Sequence, residues 1–159
     1  VELMVGGLDL CSSLAGNDHK QIRFVFFGGG PVETPKIKAL CKQFPHSSHG
    51  LSLSFEQELS LIAHLDLMLA MDSGNAHLAA MYAVPTLTLW GNTHPYAGFA
   101  PVFQTEKNRL LSDRITYPGL PTSVFGKEVP KGYEKVMESI APADVAEKMS
   151  ALLREASAD

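Results

Sequence analysis

Asp66-Leu67-Met68-Leu69-Ala70-Met71-Asp72-Ser73-Gly74-Asn75-Ala76-His77-Leu78-Ala79-Ala80 is the stretch on which the fold turns. Its opening run, 66–71, is almost wholly apolar, too short for a buried helix, and ends at once in a polar, glycine-bearing turn. Such a run reads as a strand of a parallel sheet covered on both faces. A helix follows, with Leu78, Met81 and Tyr82 expected to point inward. The same unit occurs upstream. Ile22-Arg23-Phe24-Val25-Phe26-Phe27 is short and apolar and stops at Gly28-Gly29-Gly30. Thr34 offers an N-cap and Pro35 a first helical position. Ile37, Leu40, Cys41 and Phe44 then mark one helical face, ended by Pro45.

Between these units, residues 46–53 are polar and Ser-rich, with room for a short strand near Leu51. Ser54 and Gln57 fit a capping box, each side chain covering the other's backbone amide. Phe55, Leu59, Ile62 and Ala63 give the expected buried stripe. Residues 85–90 read as a further strand. Alternating strands and helices predict an α/β fold built on a doubly wound parallel sheet. Beyond Gly91, frequent Gly, Pro and aromatic residues through Pro130 predict long loops over the sheet edge. A closing helix begins near Pro142, with Val145, Met149, Leu152 and Leu153 on its apolar face. Residues 2–14 read as a weak helix broken by Gly6-Gly7, and 15–21 as a polar turn.

The chain has 159 residues, one domain's worth, of which 45% are hydrophobic and 19% charged, a balance that argues for a packed core and against disorder. Thirteen Lys and Arg against 17 Asp and Glu give a net charge of −4, which does not suit a general nucleic-acid binder. Cys11 and Cys41 are too few for a zinc cluster or a disulfide framework and read as reduced, partly buried thiols. No apolar run reaches the roughly 20 residues of a membrane span. The chain opens at Val1, which reads as a processed or truncated start.

In open α/β sheets, ligands bind beyond the carboxyl ends of the strands. Three such ends carry suggestive loops. In Gly28-Gly29-Gly30-Pro31-Val32-Glu33 the glycines admit a ligand close to the backbone, and Glu33 could accept from a pair of sugar hydroxyls. In Asp72-Ser73-Gly74-Asn75-Ala76-His77 the start of a helix offers free amides, a positive dipole end and the Ser73 hydroxyl, a setting for phosphate. His77, in the first helical turn, is expected as a neutral imidazole donating one hydrogen bond. In Trp90-Gly91-Asn92-Thr93-His94-Pro95-Tyr96, Thr93 and His94 could complete an anion cradle beside Ser73. The plain alternatives are a tight turn with a solvated Glu33, an ordinary N-cap at Asp72 or Ser73, and a loop with no further role. His46 and His49 lack partners at metal-ligand spacing. There is no G-x-G-x-x-G, no Asp-x-Asp pair and no G-x-S-x-G elbow.

The run Met71 to Ala80, then Val84-Pro85 and Leu89-Trp90-Gly91-Asn92-Thr93-His94-Pro95, resembles glycosyltransferase family 9, the ADP-heptose:lipopolysaccharide heptosyltransferases. Phe26-Phe27-Gly28-Gly29-Gly30 with Glu33 is similar to the family's preceding, nucleotide-side loop. Thr93-His94-Pro95-Tyr96-Ala97-Gly98-Phe99 and Ser123-Val124-Phe125-Gly126 resemble its Bacteroidetes branch. Asn75 and Ala76 depart from the Pro-Met pair common in the Asp72 turn. The resemblance implies a GT-B fold of two Rossmann-like halves, no metal or other cofactor, and an ADP-sugar as donor substrate. It implies that residues 1–159 form a single C-terminal nucleotide-sugar-binding domain. The N-terminal acceptor domain, with the catalytic carboxylate, and the Lys-bearing loop that opens the donor domain would lie outside this chain. Glu33 would hold the ribose, Leu53 would sit near the adenine and Asp72 would touch the donor sugar. Ser73, Gly74 and Thr93 would hold the diphosphate, and His77 would support their turn. The implied partners are the nucleotide-sugar and, through the other domain, a lipid-linked glycan. The implied location is cytoplasmic, or peripheral to the inner membrane.

The leading expectation is therefore the donor-binding half of an inverting glycosyltransferase. The alternatives are a non-catalytic nucleotide or sugar-phosphate module and a pure protein-interaction domain.

Overall fold

A computed structural model of the chain describes residues 22–44, 46–97, 99–125 and 128–156. The weak helix expected over 2–14, the turn over 15–21, Cys11 and the expected helix stop at Pro45 lie outside them. Strand β1 (Phe24–Phe26) is followed by helix α1 (Gly30–Gln43), β2 (Ser47–His49) and α2 (Phe55–Ile62). Then come β3 (Met68–Met71), α3 (Gly74–Met81), β4 (Thr86–Trp90), β5 (Arg109–Leu111) and the closing helix α4 (Pro142–Ala156). All pairings are parallel: β1 with β2, and β3-β4-β5 in that order with β4 central. The fold is the expected α/β, Rossmann-like one.

Register assigns the faces. Met68 lies opposite Thr86 and Leu69 opposite Leu87, so consecutive residues of β3 and β4 look to opposite sides. On one side Leu87 and Leu89 pack with Val145, Ala146, Met149 and Leu152 of α4, joined by Phe24, Leu69 and Leu110. On the other, Met68 and Ala70 pack with Ile62, Ala76, Ala79 and Val84, joined by Phe27. With helices on both faces, every residue of β4 is buried, which explains a strand sequence that hardly alternates. Its threonines are not orphaned. The Trp90 indole donates to Thr88 Oγ1 at 2.9 Å, the Thr88 hydroxyl donates to the Asn108 carbonyl, and Asn108 Nδ2 donates to the Thr86 carbonyl.

Several local expectations hold. The Ser54–Gln57 capping box is complete, and α4 starts at Pro142. Others are corrected. Helix α1 begins at Gly30 rather than at a Thr34 cap, leaving Pro35 inside it. The Glu33 carboxylate folds back to accept from the Gly29 amide at 2.9 Å, so an acidic residue one turn in secures the start. The second strand sits at Ser47–His49, just before Leu51.

Met81 and Tyr82, expected inward, are 73% and 48% exposed, and Phe55 is 60% exposed. On α3 the buried residues are alanines, Ala76, Ala79 and Ala80. Small side chains let the helix approach the sheet, and the large ones fall outside. The stretch expected to be all loop contains β5, which pairs Leu110 with Leu89. Helix α3 ends in a Schellman turn: Val84 N–H donates to the Ala79 carbonyl and Ala83 N–H to Ala80. Ala83 takes the left-handed position at φ 59°.

Candidate functional site

Parallel pairing brings the carboxyl ends of β3, β4 and β5 to one edge, and the three following loops with them. The turn after β3 places Ser73 at the N-cap of α3 with extended backbone and no side-chain capping bond. Its hydroxyl is therefore not spent on its own helix, against the plain-cap alternative. The amides of Gly74 and Asn75 have no acceptor among the described residues, whereas Ala76 N–H is held by the Ser73 carbonyl at 3.2 Å. A side chain at Gly74 would meet nothing within 4 Å. Asp72, Ser73 and Gly74 are all exposed. His77 is half-buried and, contrary to the expected donated bond, makes no side-chain hydrogen bond among the described residues. It stands one turn into α3, on the same helix end.

The turn after β1 divides by role. Gly28 has φ 144°, and a Cβ there would come within 2.8 Å of Glu33 Oε2 and 3.0 Å of Ile37, so the chain's own geometry demands glycine. Gly30 has φ 77°. Gly29 has neither constraint: its backbone is extended (φ −174°), and a side chain there would meet nothing within 4 Å. Glu33 spends Oε2 on the Gly29 amide, which orients the carboxylate over the glycines rather than into solvent. Leu53 follows β2, 38% exposed. It lines a shallow groove of about 460 Å³ together with Gln57, Ser60 and Leu61 of α2 and His64 just beyond that helix.

The loop after β4 is pinned by three successive carbonyls. Gly91 accepts from the Ser112 hydroxyl at 2.9 Å, Asn92 from the Thr122 amide at 3.0 Å and Thr93 from Arg114 Nη2 at 3.2 Å. Thr93 is buried, and its hydroxyl donates to nothing among the described residues. The His94 imidazole accepts from the Tyr96 amide through Nδ1 at 3.1 Å and lies against the Tyr96 ring. Burial lowers its pKa, as do the nearby positive charges of Arg114 and Arg109. It is therefore a neutral ring with Nε2–H as its remaining donor. Tyr96 is clamped in turn: its hydroxyl donates to Glu106, Arg109 donates to both, and the guanidinium lies 4.9 Å from the ring centre. The Tyr96 hydroxyl and Arg109 hold the Glu106 carboxyl below its usual range.

The structure thus gathers Asp72, Ser73, Gly74, His77, Thr93 and His94 on adjacent loops at one sheet edge. Gly28, Gly29, Gly30 and Glu33 stand at the carboxyl end of β1, and Leu53 in the loop after β2. The residue that sequence reasoning missed is Arg114, after β5. Its only sequence signal was an Arg closely following a three-residue strand that was itself read as loop.

Residues 16–119 match glycosyltransferase family 9 (heptosyltransferase). Lipopolysaccharide heptosyltransferase 1 of Salmonella typhimurium is 29% identical over 115 residues, 72% of this chain and 35% of that protein. Among solved structures, the E. coli heptosyltransferase WaaC with ADP superposes with a TM-score of 0.64 at 20% identity, covering 94% of this chain and 39% of that one. E. coli ADP-heptose lps heptosyltransferase II gives 0.64 at 19%, covering 97% and 42%. The chain spans well under half the length of these relatives.

Proposed function

The chain belongs to glycosyltransferase family 9, the heptosyltransferases, and from that membership we propose that it is the nucleotide-sugar-binding half of an inverting, metal-independent glycosyltransferase. The donor is an ADP-sugar carrying a heptose-like sugar, and the acceptor is a lipopolysaccharide or related glycan. The observation that carries this reading is the Ser73–Gly74 turn, with two amides and a hydroxyl unspent at a helix start, open space beside Gly74, and a strand end behind it. The relatives add weight: the curated one is a lipopolysaccharide heptosyltransferase, and one structural neighbour holds ADP.

In this reading the diphosphate rests on the Gly74 and Asn75 amides, the Ser73 hydroxyl and the Thr93 hydroxyl, with the His94 Nε2–H as a further donor. Asp72 would repel phosphate and so serves the sugar hydroxyls. His77 supports the turn. The Glu33 oxygen not bonded to Gly29 accepts from a ribose hydroxyl, and the adenine lies along Leu53. In the transfer, an acceptor hydroxyl oxygen attacks the anomeric carbon from the face opposite the diphosphate. The carbon–oxygen bond to phosphate breaks, ADP leaves with the electron pair, and the acceptor proton goes to a carboxylate outside this chain. Charge grows on the leaving diphosphate, where the helix start and the turn's donors are already aimed.

Calorimetric titration of the folded chain with ADP, with UDP as control, tests the reading. ADP binding with UDP weaker by tenfold or more is expected. A folded chain that binds neither, or binds both alike, would defeat it.

A further inference from the structure

Among the described residues, Arg114 is a cation without a counter-ion. Its Nη2 donates to the Thr93 carbonyl, but Nε and Nη1 are sealed from solvent and have no hydrogen-bond partner. No carboxylate among the described residues pairs with it. Its neighbour Asp113 turns the other way, accepting from the Ile115 amide and the Thr116 hydroxyl, and Glu106 is committed to Arg109 and Tyr96. A guanidinium does not shed its proton in a protein, and leaving two of its donors buried without an acceptor is costly. The Ser123 hydroxyl, next to the Thr122 whose amide bonds the Asn92 carbonyl, is likewise buried without a partner among the described residues. Buried donors left unpaired call for a partner beyond the described residues.

Placement indicates which partner. Arg114 starts from the loop after β5, yet its guanidinium reaches the loop after β4. That loop neighbours the β3 turn, because β4 pairs with β3. We infer that Arg114, seated on the Thr93 carbonyl, is an oxyanion-binding position that takes a phosphate or carboxylate at the β4–β5 end of the site. The oxyanion comes either from the outer phosphate of the nucleoside diphosphate or from an anionic group on the acceptor. The first source rests on the proposed ADP-sugar reading. The unpaired cation does not.

The test compares the chain with Arg114→Gln and Arg114→Lys, using ADP, AMP and inorganic phosphate as probes and unliganded melting curves as the check on folding. With the donor as source, Arg114→Gln weakens ADP binding tenfold or more and leaves AMP within twofold, and Arg114→Lys falls between. With the acceptor as source, ADP and AMP are unchanged, but phosphate raises the melting temperature of the chain and not that of Arg114→Gln. In the unsubstituted chain, the Arg114 Nε–H NMR signal, assigned by its loss in Arg114→Lys, shifts on adding whichever probe binds, so the inference stays testable should Arg114→Gln fail to fold. Unchanged affinities, an unchanged phosphate effect and an unmoved Nε–H signal would overturn it. Failure of the chain to bind ADP would defeat the functional reading alone, leaving the phosphate arm to decide Arg114.

Discussion

Gly74→Ala separates what the fold needs from what the site needs. Gly74 occupies the first position of α3, lies outside the left-handed region, and has no atom within 4 Å of where a Cβ would stand. The chain's own packing gives no reason for glycine there. Alanine restricts the unfolded chain more than glycine does, which stabilises by about 0.4–1 kcal/mol at a compatible site. In a domain of this size that corresponds to a rise in melting temperature of about 1–4 °C. A methyl group at the mouth of the turn would, however, hold an oxyanion off the Gly74 and Asn75 amides. Losing one charge-assisted hydrogen bond costs about 1.5–3 kcal/mol, or roughly 10–100-fold in affinity. Scanning calorimetry and titration with ADP read the two effects separately. Gly28→Ala is the contrasting control: its φ of 144° and the 2.8 Å approach to Glu33 Oε2 make it a strained site, so it should melt lower. The reasoning is refuted if Gly74→Ala melts lower than the parent, or binds ADP within twofold of it.

Ala83→Gly should raise stability by about 0.5–1 kcal/mol in chemical denaturation, because Ala83 sits left-handed at φ 59° in the Schellman turn. A fall would mean that the turn is not strained. Thr88→Val should cost about 1–3 kcal/mol by the same assay, since it strands the buried Trp90 indole N–H that now donates to Thr88. For His94, burial leads and the Arg114 and Arg109 charges follow in depressing the folded pKa below the ordinary 6.5. The unfolded chain then binds more protons just below pH 6.5, so the contribution of the neutral ring is present above that pH and is lost as pH falls through the folded value. Urea titrations at pH 7.5 and 5.5 should show a larger drop for the parent than for His94→Asn, and equal drops would contradict the assignment.

The sequence disclosed those parts of the fold that rest on local chemistry. Runs such as 66–71 are apolar because both faces of the strand are covered, and Ser54 and Gln57 close a capping box whatever surrounds them. Features set by distant partners stayed hidden. Strand β5 is three residues long, and only its pairing with β4 makes it a strand. Met81 and Tyr82 look like core by size, yet the alanines of α3 take the inner face because close approach to the sheet favours small side chains. Thr34-Pro35 has the form of a helix start. The start moved forward because the Glu33 carboxylate can reach the Gly29 amide, a contact that spacing alone does not reveal. Of the site, the loops were legible because they follow strand ends. Arg114 was not, because its significance lies in an absence of partners that only three-dimensional packing can show.

The central strand connects these features. Its interior carries a hydrogen-bonded polar chain through Trp90, Thr88, Asn108 and Thr86, where an apolar strand would have packed as well. Such a chain is directional: each donor has one acceptor, and a slip in register against β5 would leave several groups unpaired at once. Register against β5 sets where Ser112 and Arg114 meet the Gly91 and Thr93 carbonyls, and therefore where the Thr93 hydroxyl and the guanidinium stand. Pairing with β3 sets the distance of both from the Ser73 turn. The buried threonines thus trade some apolar packing for a fixed alignment of three loops, and in the proposed reading that alignment would let donors on separate loops meet a single diphosphate.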